Sequence, residues 1–453
     1  MSTNVNQKYA NPNLPASIAT DANKRIALIT PAGAFAPIKN LPRSGTVGTR
    51  IVGVETGTVD NSTVATYRAI FEVPAGFDAV RPIFANGGAA AYTPSATSCR
   101  PMQNMTDFTF NSSGVGQTVT VPVAVPARLG LYRPSYELGN WTQLPSVARN
   151  DGGSGSLVCF DTYISTAAVL TIFGGTGSGI DVSGWATRAN RKFAFLSNAG
   201  DCVTTPGNFV STALNNFSPI VGLQYASRGK IITVMGVGDS ITFGEGTIKG
   251  EGFIVPACEQ ATAATGIYYE CMNLGWPGQV PDNYTSFLGD LAYAGIMPDI
   301  CVCPVGSPNS ATPITSITNA LPMGSQQGAA YYLNTLLSNA RGNEYRNPGA
   351  FSQPAAQNQS VQIILWTMLP VSHTVHNWSA TATLCDPLRV GLNNQWLNNS
   401  GVRVLDFATA FSGSTYNGQI EPNPALTTDL IHPNDAGNAV LSPILATELM
   451  GYF

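Results

Sequence analysis

The sequence predicts a two-domain protein in which an all-β domain precedes an α/β domain built on a parallel sheet. Up to about residue 225, short runs that alternate apolar and polar residues, or that are rich in β-branched residues, are separated by Gly, Pro, Asn and Asp. From residue 229 onward, continuous apolar runs alternate with segments of helical pattern, which is typical of strands covered on both faces by helices. The chain has 453 residues, too many for one ordinary core.

The N-terminal half is predicted to consist of an arm and a sandwich. Residues 1–45 are rich in Asn, Pro and Ala and indicate an arm or linker. Residues 46–225 contain short β-type runs, which predict a β-sandwich or jelly-roll-like domain: ATYRAIFEVP, QTVTVPVAV, GSLVCFDTYI and AAVLTIFGG. No internal repeat is visible.

The C-terminal part, residues 229–453, is predicted to contain five parallel strands joined by right-handed helical crossovers. The strand segments are IITVMGV, IYYECMNLG, PDICVCPVG, VQIILWTMLP and VRVLDFA. The helical segments are FIVPACEQATAATG, YTSFLGDLAYAG, AAYYLNTLLSNAR, LCDPLRVGLNNQWLNNSG and AGNAVLSPILATELMGYF. In such sheets ligands bind outside the carboxyl ends of the strands, so we expect the site there.

The composition excludes several classes of partner. Charged residues make up 11% of the chain and the formal net charge is −4, with no basic block, which argues against nucleic acid and anionic membranes. No apolar run approaches the roughly 18 residues that a membrane helix needs. The start lacks the pattern of a signal peptide. An extracellular or virion-associated protein would then leave the cell by another route, or its signal is absent from this sequence.

The cysteines and two of the histidines are candidate metal ligands by residue type. The eight cysteines include no Cys-x-x-Cys pair, so neither a zinc site nor a disulfide framework is expected. Alternation in DICVCPV places Cys301 and Cys303 on one face of a strand, which favours a buried apolar role. His373 and His376 form a His-x-x-His pair, but without a nearby acid they are expected to line the edge of the active site instead. No metal or organic cofactor is predicted.

The segment VMGVGDSITFGEG, residues 234 to 246, places Ser240 just beyond the first strand of the parallel sheet. A serine hydroxyl is a weak nucleophile until a base removes its proton, and the base needs a third group to orient it. His432 in DLIHPNDAG follows Asp429 by three residues, so one turn could join the carboxylate to Nδ1 and leave Nε2 facing Ser240. Spacing alone leaves a second interpretation open, in which Asp429 caps a turn and His432 is an ordinary loop residue.

GDSITFGEG together with DLIHPNDAG resembles the SGNH hydrolase family, also called GDSL esterases and lipases. The resemblance implies a flavodoxin-like sheet over residues 229–453 and a catalytic triad of Ser240, His432 and Asp429. NLGWPGQV resembles the second block of the family, with Gly278 as the backbone donor of an oxyanion hole. PVGSPNS resembles the third block, with Asn309 as the side-chain donor beside the Ser240 N–H. This block departs from the family pattern, because a proline precedes the asparagine and a serine replaces the usual aspartate.

The resemblance implies a serine esterase that forms an acyl-enzyme. The loops after the strands are polar, which favours small acyl groups, acetyl above all, on a carbohydrate such as a surface polysaccharide over triglycerides. Trp276 and Trp378 are expected at the same edge, where they would either pack or stack on a sugar ring. The N-terminal part would bind the same polysaccharide or attach the enzyme to a homo-oligomer or a larger virion assembly.

Three other functions compete with the esterase. GVGDSI begins like a dinucleotide-binding loop, but isoleucine stands where the third glycine belongs. The absence of a Gly-x-Ser-x-Gly elbow disfavours an ordinary α/β-hydrolase. The third alternative is a phage tail or other virion structural or receptor-binding protein whose hydrolase fold serves mainly for binding. The charge-poor composition rich in Asn, Gly and Thr is compatible with it.

Overall fold

The structure is a computed structural model. The residues that it describes are 17–20, 26–29, 35–37, 43–48, 64–73, 77–103, 117–118, 124–127, 135–145, 147–151, 155–165, 193–203, 205, 208–209, 219–227, 231–247, 252–275, 278, 296, 298–311, 362–372, 382–398, 403–416 and 418–451. The predicted strand AAVLTIFGG and the predicted helices YTSFLGDLAYAG and AAYYLNTLLSNAR lie outside the described residues.

The N-terminal half is built from antiparallel strands. A small sheet joins β1 (Ser17–Thr20), β2 (Ile26–Ile29) and β3 (Phe35–Pro37), all within the segment predicted as an arm. The other strands are β4 (Arg43–Gly48), β5 (Ala65–Val73), β6 (Phe77–Asn86), β7 (Ala96–Met102), β8 (Gln117–Thr118), β9 (Ser135–Leu138), β10 (Thr142–Gln143), β11 (Ser156–Ile164), β12 (Phe193–Ala199) and β13 (Ile220–Ser227).

These strands form two five-stranded sheets around one core. One sheet has the order β10-β6-β13-β4, with β9 also paired to β6, and the other has the order β12-β5-β11-β7-β8. Phe71 of β5 and Phe160 of β11 pack in the same buried cluster as Phe84 of β6 and Tyr225 of β13. Since both sheets supply side chains to this cluster, the arrangement is of the sandwich type. The predicted boundaries at residues 46–225 and 229–453 remain predictions.

The outer face of the second sheet buries a cluster of charges. Arg68 on β5 lies opposite Asp161 on β11, and its guanidinium makes hydrogen bonds of 2.7 and 2.9 Å to the two carboxylate oxygens. Arg100 on β7 donates to the same carboxylate at 2.5 Å. Arg68 also lies 3.9 Å from the ring centre of Phe209. The Arg68 and Asp161 side chains are 0% exposed, so this polar cluster is sealed from solvent.

The C-terminal half contains a five-stranded parallel sheet. Its strands are β14 (Ile231–Gly238), β15 (Tyr268–Gly275), β16 (Ile300–Pro304), β17 (Gln362–Trp366) and β18 (Arg403–Leu405). The order is β15-β14-β16-β17-β18, and all neighbours are parallel. This is the 2-1-3-4-5 order of doubly wound flavodoxin-like sheets. Every residue of β14 and β16 is buried, as their continuous apolar runs predict.

Helices follow the strands of this sheet. They are α1 (Ser240–Phe243), α2 (Ile254–Thr265), α3 (Ala382–Leu397), α4 (Phe407–Phe411) and α5 (Asp435–Gly451), and a hairpin of β19 (Ser412–Tyr416) and β20 (Gln419–Pro422) follows α4. Helix α2 ends where Gly266 takes a left-handed conformation, as the sequence predicts. Ala257 and Ala261 of α2 share a buried cluster with Leu445 and Leu449 of α5, so these two helices cover the same region of the sheet.

The cysteines with described side chains are in the thiol form, and they are Cys99, Cys159, Cys202, Cys258, Cys271, Cys301 and Cys303. Both Cys301 and Cys303 are fully buried, which confirms their predicted apolar role in β16. None of the helices in the described part of the chain is long and apolar enough to cross a membrane.

Candidate active site

Ser240 lies at the carboxyl end of β14, where the strand turns into α1. Asp239 caps this short helix through its side chain, which accepts a hydrogen bond of 3.0 Å from the N–H of Ile241. The turn is tight: a Cβ added to Gly238 would lie 2.1 Å from Thr242 Oγ1. Ser240 is therefore presented in a fixed position at the strand end, with only 5% of its surface exposed.

His432 and Asp429 come to this serine from a segment that lies 192 residues later in the chain. His432 Nε2 is 2.8 Å from Ser240 Oγ, and Nδ1 is 2.5 Å from Asp429 Oδ2. Because a carboxylate only accepts hydrogen bonds, Nδ1 carries the proton and Nε2 is free to accept one from the serine hydroxyl. The three side chains thus form one continuous hydrogen-bonded chain in the order that the sequence predicts.

The loop from Asp429 to His432 is shaped by the same carboxylate. Asp429 Oδ1 accepts backbone hydrogen bonds from Ile431 at 2.9 Å and from His432 at 2.7 Å. Leu430 between them has φ of 62°, a left-handed conformation that is uncommon for a non-glycine residue, and its carbonyl accepts from Ser372 N–H at 3.0 Å. Asp429 therefore caps a local turn through one carboxylate oxygen and binds the imidazole through the other.

The electrostatic environment favours an ionised acid and a basic imidazole. Burial opposes ionisation of Asp429, but hydrogen bonds from the His432 side chain and from the backbone outweigh burial and hold the pKa of this carboxyl well below its usual range. Burial also acts to lower the pKa of His432. The hydrogen bond to Asp429 and the nearby charges of Glu245, Asp429 and Asp239 outweigh it, so that this pKa lies above its ordinary value.

A buried link joins the serine turn to the loop after β16. Ser307 Oγ donates to Asp239 Oδ2 at 2.5 Å and accepts from the Asn309 N–H at 3.2 Å. Asp239 is fully buried, and burial raises the pKa of its carboxyl. The inserted Pro308 fits because it opens a 3₁₀ turn, Pro308–Ala311, in which a missing N–H costs little. Asn309 is thus anchored through its backbone to the residue beside Ser240.

The end of β15 is joined to the serine turn in a similar way. Asn273 donates to the Thr242 carbonyl at 2.9 Å and accepts from Gly275 N–H at 2.9 Å. A Cβ at Gly275 would lie 2.1 Å from the Phe243 nitrogen, so only glycine allows this approach. Gly278 follows in a turn with φ of 76°. The predicted oxyanion donors Gly278 and Asn309 therefore follow the two strands that flank β14.

Glu245 is a residue at this site that the sequence did not single out. Its Oε2 lies 3.7 Å from His432 Nε2, and its side chain is 31% exposed. A Cβ at the next residue, Gly246, would lie 3.0 Å from His432 Cβ, so the loop packs directly against the backbone and Cβ of His432. Asn273, Ser307 and Glu245 were missed because only the fold brings them to Ser240. One feature of the sequence could have indicated Glu245: it is a charged residue between two glycines, five residues after Ser240.

The remaining predicted site residues, Trp276, His373, His376 and Trp378, lie outside the described residues. Within the part of the chain that the structure describes, no group of three or more His, Cys, Asp or Glu side chains could hold a metal ion.

The chain is similar to solved structures over about half of its length. The chain is similar to a lipase/acylhydrolase from Enterococcus faecalis, with 17% identity over 49% of this chain and 96% of that one, at a TM-score of 0.34. It is also similar to a carbohydrate acetylesterase from Sinorhizobium meliloti, with 13% identity over 49% and 100% and a TM-score of 0.33. A third is a variant of an acetyl-xylooligosaccharide esterase from Geobacillus, with 16% identity over 49% and 95% and a TM-score of 0.30.

No family model matches the chain, and no curated protein matches it. Identities and TM-scores this low establish neither family membership nor activity. The chemistry of this chain therefore has to follow from the arrangement of its own residues.

Proposed function

We propose that the protein is a serine esterase in which Ser240 is the nucleophile, His432 the general base and Asp429 the group that orients the base. The observation that carries the proposal is the hydrogen-bonded chain from Asp429 Oδ2 through both imidazole nitrogens to Ser240 Oγ, with distances of 2.5 and 2.8 Å. A binding scaffold has no need to align a serine with an imidazole and a carboxylate. The geometry therefore favours catalysis over the alternative of a binding or structural virion protein.

The reaction proceeds in two halves. His432 Nε2 takes the proton of Ser240 as Oγ attacks the ester carbonyl carbon, and the protonated imidazole is stabilised by Asp429. The tetrahedral intermediate collapses when its bond to the alcohol oxygen breaks and that oxygen takes the proton from Nε2. Water then attacks the acyl-enzyme and gives one proton to Nε2, which returns it to Ser240 as the carboxylic acid leaves. The chemistry needs no metal or organic cofactor.

The developing oxyanion would be held by the Ser240 N–H, the Gly278 N–H and the Asn309 side-chain amide. Ser240 is the first residue of α1, where backbone N–H groups lack partners within the helix. The links through Asn273 and through Ser307 anchor the loops that carry Gly278 and Asn309 to the serine turn. Donors placed in this way are typically worth about 3 to 4 kcal/mol each to the transition state.

The proposed substrate is a carbohydrate that carries small acyl groups, acetyl above all. The segments GEGTIKGEG, GSPNSATPITS and HTVHNWSATAT each follow a strand of the parallel sheet in the sequence, and they contain hydroxyls, amides and an aromatic ring, the groups that bind sugars. A long acyl chain would instead require a broad apolar surface. We further propose an extracellular or virion-associated location, with the N-terminal half binding polysaccharide or attaching the enzyme to a larger assembly.

The nucleophile is tested with a fluorophosphonate probe and p-nitrophenyl acetate. The purified protein should release p-nitrophenol and should carry one covalent adduct on Ser240, located by mass spectrometry of its peptides. Ser240→Ala should lose both signals, whereas Ser442→Ala, which removes a buried serine hydroxyl from α5, should keep both. Hydrolysis by the Ser240→Ala variant at the wild-type rate would show that the mechanism is wrong.

The substrate class is tested separately by acetate release. Acetylated bacterial polysaccharides and acetylated xylan are incubated with the wild-type protein beside p-nitrophenyl acetate and p-nitrophenyl palmitate. We expect acetate release from at least one polysaccharide and faster turnover of the acetate ester. A preference for palmitate would contradict the carbohydrate assignment and leave the triad mechanism intact.

A further inference from the structure

Glu245 places a carboxylate next to the imidazole nitrogen that exchanges protons with the substrate. Its Oε2 lies 3.7 Å from His432 Nε2, whereas Asp429 bonds to the other ring nitrogen, Nδ1. The side chain is 31% exposed, so it borders the open mouth of the site. The triad mechanism gives this carboxylate no step.

Glu245 lies on a tight turn whose backbone is fixed by hydrogen bonds. The N–H of Glu245 donates to the Ser240 carbonyl at 3.0 Å, directly after Gly244 ends α1 in a left-handed conformation. Thr247 Oγ1 donates back to the Gly244 carbonyl at 2.6 Å and closes the turn. Gly246 allows this turn to lie against the His432 side chain. Glu245 therefore lies on a short, hydrogen-bonded turn that is bonded directly to the backbone of the nucleophile, Ser240.

The leaving group must approach Glu245 in order to take its proton from His432. The alcohol oxygen must come within about 3.2 Å of His432 Nε2 to take its proton. Since Glu245 Oε2 is 3.7 Å from the same nitrogen, the leaving oxygen passes within about 7 Å of the carboxylate. At that distance a charge on the leaving group interacts with Glu245 by more than thermal energy in a partly buried site.

We infer that Glu245 is a specificity residue for the leaving group. It selects uncharged, hydroxyl-bearing alcohols, such as the sugar ring of an acylated carbohydrate, and rejects anionic ones. A carboxylate accepts hydrogen bonds from neighbouring sugar hydroxyls and repels carboxylated or phosphorylated alcohols. The inference rests on the proposed esterase function and deepens it, because it states which side of the ester the enzyme distinguishes and by what group.

The test compares three aryl acetates of similar shape: methyl 3-acetoxybenzoate, 3-acetoxybenzoate and 3-acetoxy-N,N,N-trimethylanilinium. They have neutral, anionic and cationic leaving groups. The proteins are the wild type, Glu245→Gln and Glu259→Gln, the last of which removes the same charge from an exposed position on α2. The ratio of kcat/KM for each charged ester to that for the neutral ester is measured at constant ionic strength.

In Glu245→Gln we expect the anionic-to-neutral ratio to rise about tenfold and the cationic-to-neutral ratio to fall about tenfold, because the charge of each ester lies on its meta substituent, about 12 Å from the carboxylate. Glu259→Gln should keep both wild-type ratios. The pH profile of kcat/KM for the neutral ester should also change: its acid limb should lie at lower pH in Glu245→Gln than in the wild type. The reason is that loss of a nearby negative charge lowers the pKa of His432 and keeps the base neutral to lower pH.

The outcomes separate the two proposals. If the wild type hydrolyses the neutral ester and Glu245→Gln leaves both ratios unchanged, the specificity role is wrong and the esterase function stands. If Glu259→Gln shifts the ratios equally, the effect comes from overall charge and the assignment to Glu245 is also wrong. If the wild type hydrolyses none of the three esters, the proposed esterase function itself fails.

Discussion

Two parts of this molecule join charged side chains by hydrogen bonds, and the two groups differ in their exposure to solvent. In the N-terminal half, Arg68, Asp161 and Arg100 bond to one another on the face of a sheet, and the Arg68 and Asp161 side chains are completely sealed from solvent. In the C-terminal half, the hydrogen-bonded chain from Asp429 through His432 to Ser240 is open to solvent at one end, since the Asp429 side chain is 42% exposed and that of His432 13%.

The two groups differ in whether a polar atom remains that can react with a ligand. Asp161 accepts from two guanidinium groups, so its charge is matched where it lies and nothing in the cluster can reach a ligand. His432 is polarised by a carboxylate on one side and presents its second nitrogen to a hydroxyl on the other. The first arrangement favours one packing of the strands, whereas the second is poised to move a proton. Variants that break each cluster should therefore affect different properties.

The largest effect is expected from His432→Ala. Without the imidazole, no group accepts the Ser240 proton, and kcat for p-nitrophenyl acetate should fall by about 10⁵- to 10⁶-fold. The free energy of unfolding should change by less than about 2 kcal/mol, since the ring is a partly exposed loop residue. Steady-state kinetics and urea denaturation of the same preparation measure both quantities. A variant that unfolds without losing activity per folded molecule would contradict the assignment of the base.

The next largest effect is expected from Asp429→Asn. An amide supplies no charge to stabilise the imidazolium and can hold the wrong tautomer of His432, so kcat should fall by about 10²- to 10⁴-fold. Since the pKa of Asp429 lies well below its usual range, the loss of activity on mild acidification reports protonation of His432 and not of this carboxylate. Asp435→Asn, an exposed acid in the first turn of α5, serves as the matched control and should retain full activity. Equal losses in the two variants would contradict an orienting role for Asp429.

The sealed cluster is broken by Asp161→Ala. Two buried guanidinium groups lose their counter-charge, which should lower the free energy of unfolding of the N-terminal half by about 3 to 5 kcal/mol. Hydrolysis of p-nitrophenyl acetate should be unchanged wherever the protein is folded. The comparison is Glu448→Ala, which breaks an exposed ion pair with Arg403 and should cost at most about 1 kcal/mol. Similar costs in the two variants, measured by urea denaturation, would contradict the special role of burial.

The smallest effect is expected from Ser307→Ala. This change removes the hydroxyl between Asp239 and the Asn309 N–H, so the proposed oxyanion donor loses its anchor. We expect kcat to fall about tenfold with little change in KM, because an oxyanion donor acts mainly in the transition state. Ser442→Ala is again the matched loss of a buried hydroxyl and should change neither constant. A rise in KM alone would indicate that the loop holds the substrate and has no role in the transition state.

Much of the C-terminal fold was predictable because its signals are local. The buried run of β14, the glycine that ends α2 and the apolar alternation of Cys301 and Cys303 each follow from a few neighbouring residues. The pairing of Asp429 with His432 was also accessible, since three residues fit one turn. Contact of this pair with Ser240 was predicted from the carboxyl-end rule for parallel sheets and from the resemblance of the motifs.

The rest depended on contacts that no local pattern contains. Ser307 meets Asp239 across 68 residues and Arg68 meets Asp161 across 93, and in each case the register of the sheet decides the pairing. Arg68 sits in an ordinary alternating strand, where a charged residue indicates solvent unless its partner is known. The double role of Asp429, capping its own turn while binding the imidazole, was visible only when both oxygens had their partners.

The separation of Ser240 from His432 also has a consequence for biosynthesis. Synthesis of β14 and α1 precedes that of His432 by 192 residues, and the loop of His432 is held in place by α5, whose leucines pack with the alanines of α2. A nascent chain therefore carries a serine without a base through most of the assembly of the sheet. The proposed triad is therefore complete only after α5 has docked, so this site forms late in folding.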